Sequence, residues 1–307
     1  MFDPSTYSIA YYFATFVAVC IATWWYCNNI QRHRTAMLNS SAGEETYSKC
    51  TSPGCLRCRS NSHARGLMLQ KLVKHFHDNN LPIGAVQRVI KALQVEEEDL
   101  EGVRHPLQQP TVLYLQDLDT KPVWTDSIML EQDVKTLEKN AEILQSEFSA
   151  IIGENGWKIN NTPTGQWKAL YLINQGVPVQ ETCQKCPKTA KILGKLKFLM
   201  NDSGFGNACF SVVDPGTHIT GHYGPCNVRV RCHLGVQVPE GCAITVGGRR
   251  LTWTDGRCLL FDDSFFHEVH HHGNQKDPPR VVFMVDLWHP QVTSLERKAL
   301  NFLYPPQ

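Results

Sequence analysis

Four histidines fall within six residues in the stretch FDDSFFHEVHHHG, residues 261–273. His267-Glu268-Val269-His270-His271 matches H-E-x-x-H, a pattern that builds a zinc protease when it lies on a helix. There, residues four apart share a face, two imidazoles bind the ion and the Glu acts as base. The neighbouring sequence opposes a helix. Arg257-Cys258-Leu259-Leu260-Phe261 reads as a short apolar strand, Asp262-Asp263-Ser264 as a turn, and Gly273-Asn274 closes the stretch. His267 is therefore expected at a strand end or in a loop. His270, His271 and His272 read as a surface cluster that binds nothing.

A second chemical group lies upstream. His222-Tyr223-Gly224-Pro225 leads into NVRVRCHLGVQVP, residues 227–239, where Val228, Val230, Cys232, Leu234, Val236 and Val238 alternate strictly with Asn227, Arg229, Arg231, His233, Gly235 and Gln237. Period two marks a strand with one apolar face and one face bearing two Arg and a His. That polar face meets water or lines a cavity. A barrel brings strand mouths together, so His222 and His267 can share one metal while an Arg on a third strand holds an anionic cosubstrate. Non-haem iron oxygenases that use 2-oxoglutarate are laid out this way, with His-x-Asp/Glu and a distant His leaving open coordination positions. Here Gly224 stands where the carboxylate is usual.

The elements that must position these groups read as mostly short strands. Residues 111–115 (TVLYL), 165–176, 208–218, 243–253 with Gly247-Gly248 as a hairpin turn, and 280–288 all have strand character. Asp255-Gly256 marks a further turn. Residues 133–152 carry Val134, Leu137, Ala141, Leu144, Phe148 and Ile151 on one helical stripe. Strands this short and close imply a β-sandwich or barrel.

Residues 8–27 hold no charge, and as a helix they would span about 30 Å, one hydrocarbon core. With Trp24, Trp25 and Tyr26 at one end and no cleavage site following, the segment reads as a retained anchor behind a short tail, 1–7. Residues 28–107 form a connector holding Cys50, Cys55 and Cys58 and two helical patterns, 65–80 and 83–94. Asp3 before the anchor and Arg32 and Arg34 after it would keep the main body cytosolic. Three glycosylation triplets, at Asn39, Asn160 and Asn201, point to the lumen instead. Ten of the twelve cysteines follow the anchor, a number that permits disulfides. Thirty basic and 29 acidic side chains give a net charge of +1, without the clustered Lys and Arg of a nucleic-acid footprint.

HYGPCNVRVRCHLG, LLFDDSFFHEV and RVVFMVDLWHP, in order and at close spacing, resemble the aspartyl/asparaginyl β-hydroxylase family over residues 108–307. The resemblance implies a mainly β domain with flanking helices, built as a double-stranded β-helix (jelly roll). It also implies an Fe(II) site of two His without a carboxylate, with 2-oxoglutarate and O2 as cosubstrates. By motif position, His222 and His267 match the iron ligands, and Trp167, Ser211, Arg231, His233 and Arg280 match the 2-oxoglutarate contacts. Arg229 and Asp263 match substrate-side positions. The implied substrate is an Asp or Asn residue of a protein or peptide in the secretory pathway, met by a type II membrane protein with a lumenal catalytic domain. Departures fall on the substrate side: Val177 and Pro178 replace a pair of Arg, and Ala190 replaces the Cys that would pair with Cys183. An active oxygenase and a non-catalytic lumenal binding module on the same barrel are both compatible with this pattern.

Overall fold

The computed structural model describes residues 62–95, 98–100 and 102–307. The expected anchor, 8–27, together with Asn39, Cys50, Cys55 and Cys58, lies outside the described residues. Among the described residues no helix is long and apolar enough to cross a membrane.

Among the described residues, eleven strands form two antiparallel sheets. The larger runs β1 (Lys158–Asn160), β2 (Trp167–Asn174), β4 (Ala208–Val213), β11 (Arg280–Trp288), β6 (Arg229–Gln237), β9 (Cys258–Phe261), with β3 (Val177–Pro178) paired to β2. The smaller runs β5 (His218–His222), β10 (His267–His271), β7 (Cys242–Val246), β8 (Arg249–Leu251). From β4 to β11 the chain passes back and forth between the sheets, so each sheet alternates strands from distant parts of the sequence. That is a jelly roll, the double-stranded β-helix expected above.

The alternation read along 227–239 holds and has a cause. Val228, Val230, Cys232, Leu234 and Val236 join Phe210, Val212, Phe283, Val285 and Leu287 in the main core, which also holds Leu137, Leu144, Phe148 and Ile151 from the helices α3 (Glu131–Lys139) and α4 (Ala141–Ile151). Phe148 packs on Phe210 at 5.4 Å between ring centroids. The other face of the larger sheet turns toward the smaller sheet and contributes Val213, Phe261 and Val282 to a second cluster with Ile219, Ile244, Val246, Trp253, Phe265 and Val269. Arg280, Ser211, Arg229, Arg231 and His233 stand on that same inner face. Burying the central strands on both sides explains why β11 is buried at every position.

Three expectations need correction. Residues 111–115 form no ladder strand. Leu113 makes one bridge to Cys226, and Leu115 exchanges hydrogen bonds with the Asn227 side chain, donating to Oδ1 and accepting from Nδ2, both at 2.8 Å. The backbone there is met by turn carbonyls and a side chain rather than by a strand ladder: the Thr111, Val112 and Leu113 N–H groups donate to the Gly224 and Pro225 carbonyls. The helix expected over 133–152 is two helices, broken at Asn140 (φ −107°, ψ 12°), whose Nδ2 donates to the Thr136 carbonyl at 2.7 Å. Finally, α1 (Ser62–Asp78) and α2 (Gln87–Gln94) are more than a connector. Leu72, Phe76, Val89 and Leu93 share the main core with Leu300 and Leu303 of the last helix, Ser294–Leu303. The hairpin at Gly247-Gly248 is as expected: both residues take positive φ, 54° and 79°, as a two-residue turn of the primed type requires.

Candidate active site

His267 opens β10 and pairs directly with His222 at the end of β5, ring centroids 4.1 Å apart. Simple alternation along β5 would put His222 and His218 on one face. Between the pairs His267–His222 and Val269–Ile219, one residue of β10 faces two of β5, Thr220 and Gly221. This bulge turns His222 to the inner face while His218 stays on the outer one. Gly221 sits at the bulge because a Cβ there would meet the Phe266 ring at 2.0 Å.

Both rings are fixed the same way. Nδ1 of His222 donates to the Thr220 carbonyl at 2.8 Å, and Nδ1 of His267 donates to the Phe265 carbonyl at 2.9 Å. A carbonyl only accepts, so each Nδ1 carries the proton and each lone pair resides on Nε2, the form that ligates a metal. Burial, then the neighbouring His222 ring, pushes His267 down to about 3, so it is neutral across the physiological range. His267 is buried and His222 half-buried, which leaves one side of the pair open.

The protease geometry is absent. His267 and His271 lie on one strand, where four residues span roughly 13 Å, too far to share an ion. The surface-cluster expectation fails for His271. It is buried, donates from Nε2 to the Pro278 carbonyl at 3.1 Å and accepts at Nδ1 from Gly273 N–H at 3.2 Å.

Deeper between the sheets lies a set of donors. Arg280, 2% exposed at the head of β11, stacks over the Trp253 ring at 4.8 Å, and its Nε and Nη1 have no hydrogen-bond partner. Burial lowers its guanidinium to about 10. Trp253 Nε1–H donates to His233 Nδ1 at 3.2 Å, so the His233 proton sits on Nε2, which is also buried without a partner. Burial first, then the charges of Arg280 and Arg231, holds His233 neutral. Trp167 Nε1–H donates to Ser211 Oγ at 3.1 Å and leaves the hydroxyl proton to donate. Unsatisfied buried donors are rare and expensive. A set of them around a guanidinium fits a carboxylate-bearing ligand.

Arg229, Arg231 and Asp263 come together with Asp286, a residue not foreseen. Arg229 binds Asp263 through Nε at 3.1 Å and through Nη2, and reaches Asp286 at 3.3 Å. Arg231 binds Asp286 through Nε at 2.8 Å and Asp263 through Nη1 at 3.1 Å. Burial alone would raise the Asp263 carboxyl, but the two guanidiniums hold it well below the usual carboxylate range. Two cations and two anions form a closed, neutral quartet. Gly224 borders it: a Cβ at 224 would lie 2.5 Å from the Asp263 carboxylate. The space that a side chain at 224 would need therefore already holds a carboxylate, one committed to two arginines.

A profile of the aspartyl/asparaginyl beta-hydroxylases matches residues 131–290. The chain belongs to the aspartyl/asparaginyl β-hydroxylase family. It is 41% identical over 301 residues to human aspartate beta-hydroxylase domain-containing protein 2, covering 92% of this chain and 80% of that one. The human domain-containing protein 1 is 40% identical over 213 residues, 65% of this chain and 53% of that one. Human aspartyl/asparaginyl beta-hydroxylase is 34% identical over 199 residues, covering 62% of this chain and 26% of that protein.

For this member of the aspartyl/asparaginyl β-hydroxylase family, the matched span runs from α3 past the end of β11 and holds every inner-face residue named above. Trp253 and Asp286 escaped the sequence reading. Asp286 had left a signal, the single acidic residue within RVVFMVDLW; Trp253, after the hairpin, had left none. The described cysteines, Cys183, Cys186, Cys209, Cys226, Cys232, Cys242 and Cys258, are all free thiols. Asn201 is exposed, whereas Asn160 is half-buried with its Nδ2 enclosed.

Proposed function

We propose that this chain is an Fe(II)- and 2-oxoglutarate-dependent dioxygenase that hydroxylates an Asp- or Asn-type residue of a protein or peptide in the secretory pathway. The observation that carries the reading is Arg280, a buried guanidinium with unpaired N–H groups in the same inter-sheet space as the His222–His267 pair. His222 and His267 would hold the iron through Nε2, their tautomers already set by the Thr220 and Phe265 carbonyls. Once bound, iron and cosubstrate supply the oxidising power: one oxygen atom of O2 enters a substrate C–H bond and the other ends in succinate as CO2 leaves.

The chain's own residues bind and orient. Arg280 takes the distal carboxylate bidentately, and its planar fork suits that acceptor better than an ammonium would. Trp253 stacks beneath it and fixes the His233 tautomer, so His233 Nε2–H and the Ser211 hydroxyl donate from the sides. Trp167 positions Ser211. Neutral His267 presents an Nε2 with no proton that would compete with a metal, and neutral His233 keeps its Nε2–H to donate. Arg231, bound to Asp286 and Asp263, closes one end of the space. Arg229 and Asp263 meet the substrate side only if the quartet opens.

That quartet favours a second reading, a non-catalytic lumenal binding module, because the two substrate-side residues are already satisfied by each other. The deciding experiment loads the full chain with Fe(II), measures bound iron, and assays succinate released from 2-oxoglutarate with candidate acidic peptides. Iron without cosubstrate binding or succinate would establish the module. We further place the protein in a secretory-pathway membrane through residues 8–27, with the C-terminal domain lumenal; the glycosylation triplets support that side.

A further inference from the structure

The outer face of β10 carries a second set of metal-binding groups. Glu268 and His270 alternate with the inward His267, Val269 and His271, and His218 of β5 is the direct cross-strand partner of His270. One oxygen, Glu268 Oε2, lies 3.6 Å from His218 Nε2 and 3.6 Å from His270 Nε2. The ligand atoms of all three residues lie within 4.8 Å of one another. The His218 and His270 rings stack at 4.0 Å, and His270 stacks on His272 at 5.2 Å. His218 Nε2 is buried and has no hydrogen-bond partner.

These distances are too long for hydrogen bonds, which fall near 2.7–3.2 Å. They come close to the separation of neighbouring ligands on a tetrahedral zinc, about 3.4 Å for bonds of about 2.0–2.1 Å. Two imidazoles and one carboxylate are a donor set that zinc-type ions accept, with water in the fourth position.

We propose that His218, Glu268 and His270 form a second divalent-metal site, of zinc type, on the outer face of the small sheet. It is separate from the His222–His267 pair, which points to the other face. The ion would staple the edge strand β5 to β10 immediately beyond the bulge, holding the arm that presents His222. This proposal does not rest on the oxygenase reading, since a binding module would keep the same clamp.

The test titrates Zn(II) into the full chain against a chelating indicator, first in the parent and then in His222→Ala/His267→Ala, which removes the inner pair. One zinc equivalent should survive the inner double substitution. That equivalent should vanish on adding His218→Ala or His270→Ala, and should weaken at least tenfold with Glu268→Gln, which keeps the shape. Loss of one equivalent on His270→Ala in the parent gives the same answer should the double variant fail to fold. Cobalt in place of zinc should show no thiolate charge-transfer band, separating this site from Cys50, Cys55 and Cys58. Zinc stoichiometry and affinity unchanged by all three outer-face substitutions would overturn the proposal.

Discussion

Replacing Arg280 with Met should stabilise the empty protein and abolish its response to 2-oxoglutarate. The guanidinium is 2% exposed, rests on Trp253 at 4.8 Å and leaves Nε and Nη1 unpaired. Burial lowers its pKa to about 10, well below an ordinary guanidinium, and at about 1.4 kcal/mol per unit this corresponds to roughly 3 kcal/mol of strain on the charged form. Met fills most of the volume without the charge, so part of that penalty returns as stability. A domain of this size gains roughly 2–4 °C in Tm per kcal/mol. The parent should behave oppositely: saturating 2-oxoglutarate at a hundred times its Kd adds about 2.7 kcal/mol. Loss of the fork should lower cosubstrate affinity by about 2–5 kcal/mol, or roughly thirty- to several-thousand-fold. Arg280→Lys should keep part of the affinity, and Arg257→Ala, on an exposed arginine paired to Glu138, should keep all of it. Thermal melts with and without 2-oxoglutarate, and anaerobic calorimetry on the iron-loaded chain, read both halves. An Arg280→Met protein that melts lower than the parent and still binds 2-oxoglutarate would refute the reasoning, because the guanidinium would then be satisfied by the protein itself.

His222→Ala and His267→Ala should each strip iron, measured by metal analysis, whereas His271→Ala should retain it and lose stability through its two orphaned partners. Gly221→Ala forces a methyl onto the Phe266 ring and should cost about 1–3 kcal/mol along with much of the iron affinity; a normal melt and normal metal content would show that the bulge is not needed. Asp262 is raised by burial from 3.8 to about 7, so its ionisation opposes folding: the penalty is absent below about pH 4, grows as pH rises and is complete above about 7. Asp262→Asn should therefore gain on the parent between pH 4.5 and 8, by at most about 4 kcal/mol in denaturant unfolding, and a pH-independent difference would contradict this. Expression in cells should place glycan on Asn39, Asn160 or Asn201, with Asn201 the most accessible of the described pair; no endoglycosidase shift, with cleavage by protease outside sealed microsomes, would reverse the orientation.

The sequence read well where period two dominated. The apolar half of 227–239 packs under the helices and the basic half faces the small sheet, as alternation requires. Strand identity for His267 also followed from the flanking turn residues. Local pattern failed where tertiary contacts decide. TVLYL has strand composition, yet the Gly224 and Pro225 carbonyls and the Asn227 side chain capture its backbone groups. His218 and His222 have the same parity, and only the bulge separates their faces. His270 to His272 look alike in sequence, but pairing buries His271 and leaves His270 beside His218. Arg229 and Asp263 lie 34 residues apart, and nothing local announces that they neutralise each other.

The bulge at Thr220 and Gly221 makes the chemistry of this barrel depend on a count of one. Deleting either residue would restore plain pairing between β5 and β10 and leave His222 inward opposite His267, because the strand would then alternate regularly from Ile219. Closing the bulge at the present length would instead slip the pairing by one residue and turn His222 outward beside His218, without any change in which amino acids the site contains. Gly221→Ala presses toward that slip by crowding the Phe266 ring. A slip of one residue is thus a distinct way for such a chain to keep its fold and its histidines while surrendering its inner metal. Relatives are best compared at this spot by the number of residues between the two strand partners.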